Sequence, residues 1–275
     1  MEDISFYLIH NNSKDRIDLR NKLRHLSDSL NIKLVEICKQ NKNLKINNSF
    51  KNKLVVLTIL LLRIYYDLKH KYEFSFKFFF WSLKRIIKLN KSIFEFLLQD
   101  RDKNLETFKH LKIESIIARK HVKAWEDFLK SNKKIMIIFE DDTICKKDSE
   151  RKLKGFLGRL QNIDFKNIYI DLAGGFNPYD VIPKRKIEAT KDEFLLVKGI
   201  YTNTACSYLI NKNLAKLLYA EYLRSKLNEY LPIDHLINKL AMKINKSQNI
   251  FSIHLHETLF THGSFKGNIK SWQIY

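Results

Sequence analysis

The run IMIIF, Ile135–Phe139, is short and wholly apolar, and three acids follow it at once: Glu140, Asp141 and Asp142. An apolar run of that length, bounded by polar residues, reads as a buried strand. The chain around it carries a net charge of +20, so its densest knot of negative charge sits at the end of a strand.

The opening residues set the rest of the pattern. ISFYLI, Ile4–Ile9, reads as a strand, and the N-terminus lacks the basic start and long apolar core of a signal peptide. A polar turn follows, and then Ile17, Leu19, Leu23, Leu26 and Leu30 recur at helical spacing. Ile32–Ile37 completes a β-α-β unit, the usual start of a nucleotide-binding α/β domain. The G-x-G-x-x-G turn is missing, which argues against a dinucleotide site. Further on, a helix is expected over Ile113–Lys130, with Ile117, His121, Ala124, Trp125 and Phe128 on one face. Strands are expected at Asn167–Leu172, Leu195–Val197 and Ala205–Ile210. A helix over Leu214–Leu227 with Asn211 as N-cap comes next, then one over Ile233–Ile244 behind Pro232.

Residues 41–112 stand apart, with sixteen Lys/Arg against six Asp/Glu. That is half of the chain's net charge. The apolar run Leu54–Tyr66 is broken by Arg63, and Phe74–Leu98 is aromatic and basic. Two or three helices fit, packed on the main domain or facing anionic lipid. An AT-rich codon bias would produce the same excess of lysine. Three cysteines without C-x-x-C spacing suit a reduced, cytoplasmic protein.

Ligands of open α/β sheets bind beyond the carboxyl ends of the strands. Clustered acids there repel one another and hold protons, unless a cation lies between them. A divalent ion such as Mg²⁺ or Mn²⁺ would take carboxylate oxygens and bind substrate phosphates with its remaining positions. The plain alternative is an acidic turn in solvent.

The ordered set of motifs resembles glycosyltransferase family 25, the lipooligosaccharide galactosyltransferases and their collagen-modifying relatives. Its parts are ISFYLIHNNSKDRIDLRNKL with Asp15 and Arg16, IESIIARKHVKAW with Glu114, His121 and Trp125, and IIFEDD. TACSYLINKNLAKLL and LPIDHLI, with Pro232 and Asp234, complete it. The glycines, cysteine and serine of the family's helix motif are replaced by Ile113, Ile116, Ile117 and Lys120. The resemblance implies an α/β, GT-A-like, Rossmann-type nucleotide-sugar-binding domain with a mixed sheet. It would span residues 1–275 as one domain, with 41–112 as an inserted basic helical segment.

Site residues follow from the resemblance. Asp142 is the first choice for a Mn²⁺ or Mg²⁺ ion, with Glu140 as a further ligand; apart from the resemblance, His262 in the late stretch IHLHETLFTH is read as an extra ligand or a phosphate contact. Glu140 or Asp141 would otherwise hold the ribose or a metal-bound water. Arg16 would pair with phosphate, or else form a surface ion pair with Asp15 or Asp18. His121 would donate to the nucleotide or sugar, oriented by Glu114, or else be a buried histidine bonded to backbone. The family inverts, so one carboxylate must take the acceptor's proton; Asp234 is preferred and Asp171 is the alternative. His254 and His256 point the same way in a strand without a close third ligand.

The expected function is transfer of a hexose, galactose by resemblance, from a UDP-sugar to a glycan acceptor of lipooligosaccharide or a similar surface polysaccharide. The expected place is the cytoplasm, including the inner face of an anionic membrane. The rival readings are a basic nucleic-acid-binding protein and an inactive glycosyltransferase fold.

Overall fold

The computed structural model describes residues 2–38, 101–160 and 166–264, together with Leu61. Most of the basic segment, including Phe74–Leu98 and the membrane-facing reading attached to it, lies outside the described residues. Its last part, from Arg101, forms the first turns of a helix that runs on to Lys130.

In chain order the elements are β1 (Ile4–Ile9), α1 (Ile17–Ser29), β2 (Leu34–Ile37), α2 (Arg101–Lys130), β3 (Ile135–Glu140), β4 (Thr143–Cys145) and α3 (Ser149–Leu160). There follow β5 (Ile168–Asp171), α4 (Pro178–Val181), β6 (Ile187–Thr190), β7 (Phe194–Lys198), β8 (Ser207–Asn211), α5 (Lys212–Leu223), α6 (Ile233–Ile244), β9 (Phe251–Leu255) and β10 (Phe260–His262). Among the described residues, one mixed sheet has the order β2-β1-β3-β8-β5-β9-β7-β6, and β4 pairs with β10 apart from it. This is the expected α/β, Rossmann-type architecture with a mixed sheet.

Side-chain alternation explains the layering. Phe6 and Leu8 of β1 and Ile137 and Phe139 of β3 project to one face, where Leu23 and Leu26 of α1 and Leu153 and Phe156 of α3 cover them. Tyr7, Ile9, Met136 and Ile138 project to the other, onto Trp125 and Phe128 of α2 and the apolar stripes of α5 and α6. Each such side chain taken out of water contributes about 1.5–3 kcal/mol. The same alternation turns Glu140 towards α2.

Strand β1 is parallel to β2 on one side and to β3 on the other. The chain therefore leaves β1 in one direction and returns on its other flank. That makes a topological switch point at the carboxyl ends of β1 and β3, where ligands of such sheets bind. Antiparallel β8 begins on the same rim, and β5 and β9 end on it.

Several elements differ from expectation. Helix α3 is additional; its Leu153, Phe156, Leu157 and Leu160 are buried at helical spacing between lysines and arginines. Strand β7 is longer than expected and gains a hairpin partner, β6. Asn211 does cap α5, accepting from the Leu214 N–H at 3.1 Å, but that helix ends at Leu223, and Leu227 falls in a short 3-10 turn.

The loop after β5 is tied down by Asp171, whose Oδ1 accepts from the Ala173 and Gly174 N–H groups at 3.1 and 2.8 Å. Gly174 has φ +66°, and a Cβ there would lie 2.8 Å from Thr258 Cγ2. Gly174→Ala is expected to lower stability by about 1–3 kcal/mol, read as a lower urea midpoint.

Candidate active site

The three acids do not act as one knot; each turns to different partners. Asp141 points into the protein, fully buried, with the Arg16 guanidinium at 2.6 Å and that of Arg20 at 3.8 Å. Its backbone N–H is held by the Ile9 carbonyl at 3.0 Å. Burial pushes its carboxyl up to about 7, against the pull of Arg16. Arg16, expected to meet phosphate or to pair with Asp15 or Asp18 at the surface, is 1% exposed and has its guanidinium on Asp141. Asp141, expected to hold the ribose or a metal-bound water, is enclosed in the same pair.

Glu140 reaches α2. Its Oε1 lies 3.0 Å from His121 Nε2, His121 Nδ1 lies 3.0 Å from the Tyr208 hydroxyl, and the Trp125 indole N–H donates to that hydroxyl at 3.1 Å. Burial, with the Lys120 charge beside it, lowers His121 to about 3, so its ring is neutral. An indole can only donate. The arrangement that gives each group a partner therefore runs from Trp125 to Tyr208, to His121 Nδ1, and from Nε2–H to Glu140. His121 is thus fully buried, with both ring nitrogens on side chains rather than on backbone. Glu140, not Glu114, holds its ring. Burial, and next the Asp142 charge, push Glu140 up to about 8. The Lys120 ammonium, which donates to the His10 carbonyl at 2.6 Å, also lies within electrostatic reach of both Glu140 and Asp141.

Asp142 turns to the small sheet. Register places His262 opposite Thr143 in the β4–β10 pair, and the Gly263 N–H donates to the Asp142 carbonyl at 2.9 Å. His262 Nδ1 then stands 3.6 Å from Asp142 Oδ2, and the Ser264 hydroxyl donates to the same oxygen at 2.7 Å. Cys206 precedes β8, its carbonyl accepting from the Glu140 N–H at 2.8 Å, and its thiol lies 3.7 Å from Asp142 Oδ1. Among the described residues, Asp142, Cys206 and His262 form a group that could share a metal ion, with ligand atoms within 4.8 Å of one another. The sequence motifs brought Asp142 and His262 together but not Cys206; no spacing along the chain signals it. Glu140 stands next to this group rather than in it.

The remaining candidates separate clearly. Asp171 is 2% exposed, engaged with the two backbone N–H groups and 3.8 Å from His254 Nδ1. Asp234 is half-buried in the first turn of α6, and its charge is felt by both Glu140 and Tyr169. His254 and His256 part company, since His256 is exposed and its Nε2 bonds the Lys191 carbonyl at 3.0 Å.

The acids imply a pH dependence. Glu140 and Asp141 have folded-state pKa values near 8 and 7, above their ordinary 4.5 and 3.8, so the stability they contribute at low pH is lost as pH rises through those values. His121, lowered from 6.5 to about 3, acts in the opposite sense but only below 6.5. Metal-free protein is therefore expected to lose roughly 2 kcal/mol of stability as the pH rises from about 6.5 to about 8. Urea unfolding in chelator across that interval measures it, and a rising curve would contradict the assignment.

The Rossmann-like sheet carries these carboxylates at its switch point, and comparison with known families bears on what they serve. Residues 118–237 match the model described as "Glycosyltransferase family 25 (LPS biosynthesis protein)". The matched stretch runs from α2 into α6 and takes in the three acids, Cys206 and Asp234. The enzyme class is accordingly that of a glycosyltransferase, acting between a sugar donor and a glycan acceptor. Over this segment the chain is similar to glycosyltransferase family 25, the family its motifs resemble. No curated protein matches the chain. Among the described residues no helix is long and apolar enough to cross a membrane.

Proposed function

We propose that the chain is a metal-dependent, inverting hexosyltransferase that moves galactose from UDP-galactose to a glycan acceptor of lipooligosaccharide or a related surface polysaccharide. The observation that carries the metal reading is the meeting of Asp142 and His262 at 3.6 Å, beside the carboxyl end of β3. A carboxylate oxygen and an imidazole nitrogen at that separation fit a divalent ion such as Mn²⁺; Mg²⁺, which favours oxygen alone, is fitted less well. When bound, the ion would neutralise charge on the departing diphosphate.

The chain's own residues do the rest. The Trp125–Tyr208–His121 series holds Glu140 in place beside Asp142, and Arg16 confines Asp141. Asp234 is the carboxylate that takes the acceptor hydroxyl's proton, because Asp171 is already engaged with backbone. Asp234→Asn is expected to lower kcat by about 10²–10⁴ with little change in KM for the donor.

Turnover of UDP-sugars with and without EDTA, read as UDP release, tests the function. UDP-galactose is the expected donor, and undiminished turnover in EDTA would exclude a metal role. The charge of segment 41–112 supports a cytoplasmic enzyme docked on an anionic membrane face.

A further inference from the structure

We infer that Cys206 is a third protein ligand of the metal centre, which therefore takes a thiophilic divalent cation, Zn²⁺ or Co²⁺, in preference to Mg²⁺. The inference rests on the metal reading of Asp142 and His262 given above. Its own ground is the position of the thiol. Cys206 Sγ is 3.7 Å from Asp142 Oδ1, His262 Nδ1 is 3.6 Å from Asp142 Oδ2, and the three ligand atoms lie within 4.8 Å. A tetrahedral cation with bonds of about 2.0–2.3 Å separates its ligand atoms by about 3.3–3.8 Å. Each Asp142 oxygen already stands at such a spacing from one of the other two ligand atoms, Oδ1 from the thiol and Oδ2 from the imidazole, and the three single ligand atoms lie within 4.8 Å of one another.

The three residues are also held there by different parts of the fold. Asp142 ends the β3 turn, Cys206 is fixed opposite Glu140 by a backbone hydrogen bond, and His262 is set by the β4–β10 register. The Ser264 hydroxyl on Asp142 Oδ2 and the Thr143 hydroxyl, 3.3 Å from Sγ, supply the outer partners that orient metal ligands. Asp142 and Cys206 are buried and His262 is half-buried, so the site is enclosed on the protein side. Three protein ligands leave a coordination position for water or a donor phosphate, as in catalytic zinc sites. Binding exchanges the thiol proton for the metal and releases that proton to solvent. Thiolate, imidazole and carboxylate together favour Zn²⁺ or Co²⁺ and disfavour Mg²⁺.

Titration of the metal-free, full-length protein with Co²⁺ tests this without recourse to activity. The wild type is expected to show a sulfur-to-cobalt charge-transfer band in the near ultraviolet. The band should persist in a Cys38→Ser/Cys145→Ser variant and vanish in Cys206→Ser. That last variant should still bind Co²⁺, at an affinity lower by about 10–100-fold. Zn²⁺ should displace the Co²⁺, whereas the same excess of Mg²⁺ should not. Unchanged metal-free melting of Cys206→Ser, and of Cys206→Ala as a second variant, shows that the fold is intact. Stoichiometric Co²⁺ binding without the sulfur band, and at equal affinity in Cys206→Ser, overturns the inference while leaving the Asp142–His262 centre standing. A wild type that binds no divalent ion overturns both.

Discussion

Replacement of Asp142 by asparagine is expected to reduce sugar transfer on the order of a thousandfold in a protein that still folds. The substitution keeps the shape of the side chain and an oxygen for the Ser264 hydroxyl, which donates at 2.7 Å in the native protein. It removes the one full negative charge that stands against His262 at 3.6 Å and the Cys206 thiol at 3.7 Å. A neutral amide is a poor ligand for a divalent ion, so the ion and the charge neutralisation it brings to the leaving diphosphate are lost together. The loss should fall on kcat at saturating donor, and the melting temperature without metal should change little. Full activity in a folded Asp142→Asn protein would remove the metal from the mechanism.

Asp141→Ala should have the larger effect on stability, a loss of about 3–5 kcal/mol. Arg16 is 1% exposed and its guanidinium lies 2.6 Å from the Asp141 carboxylate. Arginine does not shed its proton inside proteins. When the carboxylate is removed, a full positive charge stays buried without its nearest counter-charge. The converse change, Arg16→Met, should cost less. Asp141 can take up a proton, since burial already holds its carboxyl up to about 7, and methionine fills much of the arginine's volume. The two midpoints in urea, compared at pH 8, where the native Asp141 carboxylate is ionised, read this asymmetry directly. Equal losses, or a smaller loss for Asp141→Ala, would mean that the pair does not neutralise the switch point in this way.

The β-α-β start and the strand ahead of the acids were legible because alternation and helical spacing are local properties, set by which residues neighbour one another along a few turns. Ile4–Ile9 and Ile135–Glu140 register with one another along their whole length, as two apolar runs of matching size should. Helix α3 was harder to see, since Leu153, Phe156, Leu157 and Leu160 are diluted by lysine and arginine, and only the sheet face they cover makes the stripe visible. The roles of Arg16 and His121 were opaque for a different reason. Both lie in motifs that the resemblance places near a nucleotide, yet burial sets one on Asp141 and the other on Tyr208 and Glu140.

From the chain alone came an α/β protein with an acidic strand end, a candidate metal carboxylate and a family. Folding decided how three adjacent carboxylates divide their work. One is neutralised by a buried arginine, one is held by a histidine on α2, and one meets Cys206 and His262. Neighbours in sequence share a backbone, but alternation and a turn send their side chains to different faces. Which opposite charge or ligand meets each is then set by strands that lie far away along the chain.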